Sequence, residues 1–369
     1  MYTQTEYMIS QLAKCPLDEW LAELLKQPEQ VWQSLHANFG FRHQLYAYGK
    51  QLCDIAQKLQ NPDDAESKQA ALTEIHRTLE LIYNQDFVVP SYENLNTDTQ
   101  PLIRDLAAQL EAAMLSAEHT LIDLELINAY PKNGAEYVKW LQRLISQHPS
   151  SVHSVYNEYL SNHAGPDELA YYFAQETTLD PRFDDILALM QIGNQVDVKL
   201  EIAQNYWDEM GNGNLHEVHS RLFAQALNDL SITPSYVREH ILPGARISGN
   251  LSACLALSRR HYYKAIGYFG VTEYLAPRRF KHVVKAWKRN GLPEVGIVYH
   301  ELHIGIDTVH AKAWLNKVIA PLIDRDPRLG REIALGALIR MNSSQRYLDQ
   351  LLEKFDTKGI PRHIGQATA

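Results

Sequence analysis

The chain has little cysteine. Cys15, Cys53 and Cys254 are scattered over 369 residues, with no Cys-x-x-Cys among them. An odd, dispersed set makes no disulfide framework. Free thiols fit a reducing compartment, so the expected location is cytoplasmic. No basic segment followed by an apolar run opens the sequence, so no secretory signal is read there. No stretch approaches the ~18 uninterrupted apolar residues of a membrane helix, and no membrane partner is expected. Positive charge is also scarce. The formal net charge is -9, and the densest basic run is Arg278, Arg279, Lys281, Lys285 and Lys288. Such a run reads as a solvated helix face. Without a basic stripe the chain is not expected to bind nucleic acid.

Alternating β-branched runs with hairpin turns are missing too. Helical periodicity dominates instead. "DEWLAELLKQPEQVWQSLHANF", "AALTEIHRTLELIYN" and "IRDLAAQLEAAMLSAEHTLIDLELINAY" each repeat apolar residues at helical spacing. Hydrophobic residues make up 45% of the chain, enough for a large core. The expected fold class is all-α. Residues 1–150 show no chemistry and read as four to six helices of an accessory or dimerisation region, compatible with a homodimer. Residues 151–356 form the second domain, and 357–369 a flexible tail.

Chemistry concentrates in the second half. His303-x-x-x-Asp307-x-x-His310 places two imidazoles and a carboxylate on one helix face, flanked by His300 and Trp314. That is a set non-haem Fe(II) favours. The segment is otherwise apolar at Ile304, Ile306 and Val309, so a buried Asp307 needs a partner or a metal. Gly305 lowers helix propensity there without an evident turn role.

"YWDEMGNGNLHEVHSRLF" supplies Glu209 and His219, ten residues apart and about 80° out of phase on an ideal helix. A π-bulge at Gly211-Asn212-Gly213 would realign them. A helix C-cap and turn is the other reading, and His216 is a rival to His219. Glu273 lies among Tyr268, Phe269, Val271, Tyr274 and Leu275, where an unpaired carboxylate is disfavoured. A metal, Arg278 or Arg279 must satisfy it. Glu176 ends an aromatic helix as a further carboxylate. Tyr262, Tyr263, Tyr268 and Phe269 read first as core aromatics and second as cavity lining. Glu-x-x-His, the signature of ferritin-like di-iron bundles, occurs nowhere.

The order Glu-x9-His, Glu, His-x3-Asp-x2-His resembles the haem-oxygenase-like di-iron oxidase and oxygenase superfamily, and within it the iron-containing redox enzyme family. The likeness spans roughly residues 165–350. It implies a haem-oxygenase-like helical bundle core. It implies two iron ions, Fe(II) or Fe(III), held by Glu209, His219, Glu273, His303, Asp307 and His310. Glu176 lies where some members place an additional carboxylate. A manganese–iron pair would use the same ligands. The implied activity is oxidation of a small organic substrate by O2 with an external electron donor. N-oxygenation of an amine is favoured over oxidative C–C cleavage of a fatty or amino acid. The alternatives are a haem-binding protein on the same fold and a non-catalytic helical interaction protein.

Overall fold

The computed structural model describes residues 3–58, 64–95, 97–357 and 359–361. Among them the regular structure is helical, with no strand, as the periodicity predicts. No helix is long and apolar enough to cross a membrane. The chain divides into two compact units, Met1–Leu121 and Ile122–Ala369.

The first unit holds α1 (Gln4–Gln11), α2 (Leu17–Leu24), α3 (Glu29–Ala37), α4 (Phe39–Gln57), α5 (Ala65–Asp86) and α6 (Leu102–His119). Its core is apolar, with Trp20, Trp32, Ile75, Leu79, Ile103 and Leu110 fully buried. The helically spaced segment over 18–39 forms two helices, because Pro28 has no backbone N–H to continue α2 and instead precedes α3. The periodic run after Ile103 also stops early, at His119. Beyond it, Asp123 caps a short 3-10 turn, Leu124–Ile127, by accepting from the Glu125 N–H.

The second unit begins before the expected boundary near residue 150. Its first helix, α7 (Gly134–Gln147), packs within this unit. The Tyr137 hydroxyl donates to the Gly330 carbonyl at 2.6 Å, and Gly134 N–H donates to Asp324 Oδ1 at 2.6 Å. Then follow α8 (Pro166–Glu176), α9 (Phe183–Met190), α10 (Val196–Glu209), α11 (His219–Asp229), α12 (Pro234–His240) and α13 (Pro243–Leu257). The last are α14 (Tyr262–Arg289), α15 (Val298–Ala313), α16 (Ala320–Arg325) and α17 (Leu329–Asp356). The break between α9 and α10 comes at Gly193, whose φ of 75° is left-handed. Of the expected tail, residue 358 and residues 362–369 lie outside the described residues.

Two long helices set the frame. α14 and α17 cross so closely that a Cβ on Gly267 would lie 1.8 Å from the Ile333 carbonyl oxygen. One on Gly336 would lie 1.8 Å from that of Lys264. α15 packs on the other side of α14 and runs through a π-helical turn, Trp314–Ile319, into α16. Trp314 is buried and donates from its indole to the Ile266 carbonyl, locking α15 to α14.

Candidate metal centre

Two triads of buried side chains lie among these helices. Glu209 at the end of α10, His219 at the start of α11 and His303 on α15 form one. Glu273 on α14 with Asp307 and His310 on α15 forms the other. In each triad the candidate ligand atoms lie within 4.8 Å of one another. All six residues are at most 6% exposed.

The joint between Glu209 and His219 is a reversal and not a π-bulge. Gly211, Asn212 and Gly213 have φ of 60°, 51° and 86°. A Cβ on Gly211 would come within 2.5 Å of the Glu217 backbone, so the turn needs glycine there. The reversal brings His219 Nδ1 to 2.8 Å from Glu209 Oε2. His303 Nε2 lies 3.4 Å from the other carboxylate oxygen. His216, the rival, is exposed and outside both triads.

The ring orientations are set from behind. His303 Nδ1 donates to the Tyr299 carbonyl at 2.6 Å, leaving Nε2 to face Glu209. His310 Nε2 lies 2.9 Å from Asp208 Oδ2. Its Nδ1 faces Asp307 Oδ1 at 3.7 Å and Glu273 Oε2 at 3.8 Å, buried and without a hydrogen-bond partner. Asn205 Nδ2 donates to Glu273 Oε1 at 2.7 Å. Neither expected arginine reaches Glu273. Arg278 donates to the Tyr274 hydroxyl, and Arg279 turns to Ser150 and Ser344.

The protonation of the protein alone is frustrated. Burial, reinforced by the nearby Asp307 charge, pushes the Glu273 carboxyl up to about 8. Burial opposes charge on Glu209 as well, but hydrogen bonds from His219 and His303 hold it down near 2. Burial works against His303 and His310, yet Asp307 raises both, with Glu209 adding at His303 and Glu273 at His310. The two imidazoles reach about 10 and about 9. In each triad a divalent ion could take the place of the protons that carboxylate and imidazole otherwise share. The orphaned His310 Nδ1, aimed at two carboxylates, fits the same reading.

A cavity of about 30 Å³ adjoins the triads. Leu179, Phe183, Ala276 and Phe280 form its apolar wall, and Asp180, Thr272, Glu273, Tyr299, His303 and Asp307 the polar one. Tyr268 and Phe269 are core residues elsewhere, while Tyr262 and Tyr263 line a separate surface pocket. Asp180 was not singled out in the sequence. Burial drives its pKa well above the usual carboxylate range, and its Oδ2 has no partner. Its Asp-Pro turn gives no sign of this role. Glu176 lies outside both triads and accepts from the Tyr347 hydroxyl at 2.8 Å.

Comparison with known proteins agrees with the geometry. No curated protein matches the chain. Residues 170–345 match the family model described as iron-containing redox enzyme, which is haem-oxygenase-like. All six triad residues fall inside that matched segment.

Proposed function

We propose that this protein is a non-haem di-iron oxygenase that uses O2 to oxidise a small organic substrate. One observation carries the reading: two buried triads, each mixing carboxylate and imidazole, share α15. Glu209, His219 and His303 would hold one ion, and Glu273, Asp307 and His310 the other. A bound iron pair supplies two electrons towards O2 reduction, and an external electron donor must restore them. The same donors would accept a manganese–iron pair.

The protein's own groups do the rest. The Tyr299 carbonyl and Asp208 fix the tautomers of His303 and His310. Asn205 steadies Glu273. Leu179, Phe183, Ala276 and Phe280 keep bulk water from the cavity. Asp180 presents to that cavity a carboxyl group whose ionisation burial opposes. An incoming ammonium would stabilise its ionised form, and the carboxylate could then take a proton from nitrogen. This favours N-oxygenation of an amine over oxidative C–C cleavage.

The test is oxygen consumption by Fe(II)-loaded protein mixed with O2 in stopped flow. Uptake of about one O2 per two irons is expected, with an absorbance transient absent from metal-free protein. Uptake no faster than by free Fe(II) would overturn the reading.

A further inference from the structure

Away from the triads, buried charge collects where α8, α14 and α17 meet. Arg279 is 9% exposed. It donates to the Ser150 carbonyl at 3.0 Å and to Ser344 Oγ at 2.9 Å, and its Nε has no partner. Arg340 is half-buried, with its guanidinium 5.4 Å from the Tyr268 ring centroid. It donates from Nε to Thr272 Oγ1 at 2.9 Å. Among the described residues neither arginine has a carboxylate within ion-pairing distance, and the Arg340 terminal nitrogens have no acceptor.

Both guanidinium groups stay charged at any working pH. Glu176 is the acid that both charges act on, but it is bound by the Tyr347 hydroxyl and pairs directly with neither arginine. Two guanidinium groups thus face one carboxyl group, and the Arg340 terminal nitrogens keep room for a second anion. Arg340 lies beside the cavity, because Thr272, its acceptor, lines that cavity next to Glu273.

We infer that Arg340 is the anchor for a substrate carboxylate, held in a subsite that joins the metal cavity at Thr272. The free fork of Nη1 and Nη2 matches the two oxygens of a carboxylate. Arg279 adds positive potential from behind. With Asp180 on the same cavity, a molecule carrying both an amine and a carboxylate would satisfy both ends. The inference rests on the oxygenase reading for the word substrate, but anion binding can be measured without iron.

The experiment is a thermal-shift and calorimetric titration of the full-length protein, metal-free and anaerobically Fe(II)-loaded. The probes are short- and medium-chain carboxylates and the L-α-amino acids, each beside its primary amide. At least one carboxylate should stabilise the wild type where its amide does not. Its affinity should fall about tenfold or more in Arg340→Gln, recover in part in Arg340→Lys, and rise in Glu176→Gln. The opposite signs separate charge from damage to the fold. If Arg340→Gln fails to fold, Glu176→Gln decides, and unchanged affinity there overturns the proposal. It is also overturned if no carboxylate outperforms its amide, or if Arg340→Gln binds as the wild type does. Iron uptake is read separately: anion binding that persists in protein unable to load iron would leave this subsite standing while the oxygenase reading falls.

Discussion

Asp208 Oδ2 stands 2.9 Å from His310 Nε2, so a residue of α10 holds the outer nitrogen of a histidine on α15. Its neighbour Glu209 belongs to the other triad. One helix end thus braces both halves of the site. A carboxylate behind a ligating imidazole fixes its tautomer and raises its basicity. Asp208→Ala should weaken one of the two irons by about 10–100-fold and leave the other near its wild-type affinity. Anaerobic titration with a competing chelator reads this, and equal loss at both sites would point to general damage.

His300 gives a pH dependence of stability. It is fully buried with both ring nitrogens unpartnered, and Phe173, Phe280 and Tyr299 surround it. Burial holds its pKa well below the usual 6.5. The unfolded chain therefore binds a proton that the folded chain refuses. The stability due to this group is complete above about pH 6.5 and is lost as pH falls, by up to about 1.4 kcal/mol per pH unit. His300→Leu should remove that part of the slope and change stability at neutral pH by no more than about 1 kcal/mol. Denaturant unfolding at several pH values checks it, and an unchanged slope counts against it.

Two glycines should respond in opposite directions. Gly336→Ala drives a Cβ into the Lys264 carbonyl, where backbone blocks relief, and should cost about 2–3 kcal/mol. Gly305, on the exposed side of α15, has nothing within 4 Å of a built Cβ. Gly305→Ala should stabilise by about 0.5–1 kcal/mol through helix propensity. Thermal unfolding of the two variants makes the comparison.

The all-α fold was legible because the apolar spacing repeats almost without interruption. The face shared by His303, Asp307 and His310 was legible because one helix carries all three. The meeting of Glu209 and His219 was harder. Their phase depends on a left-handed turn, and ideal-helix geometry says nothing of such a turn. Asp180, Asn205 and Asp208 could not be picked out, since their roles arise only where helices distant in sequence converge. The basic run on α14 misled in one place. Arg278, Lys281, Lys285 and Lys288 follow one exposed face, but Arg279 lies off it and is buried. In the first unit, Pro28 was a stop signal inside a run whose periodicity continues across it.

The most direct test of two metal sites is iron stoichiometry in variants that break one triad at a time. Anaerobic Fe(II) titration should give about two irons per chain in the wild type. It should give about one in His219→Ala and about one in Glu273→Ala, with little iron bound when the two are combined. A wild-type chain that binds no iron, or single variants that keep both, would contradict the assignment of these six residues to a di-iron centre.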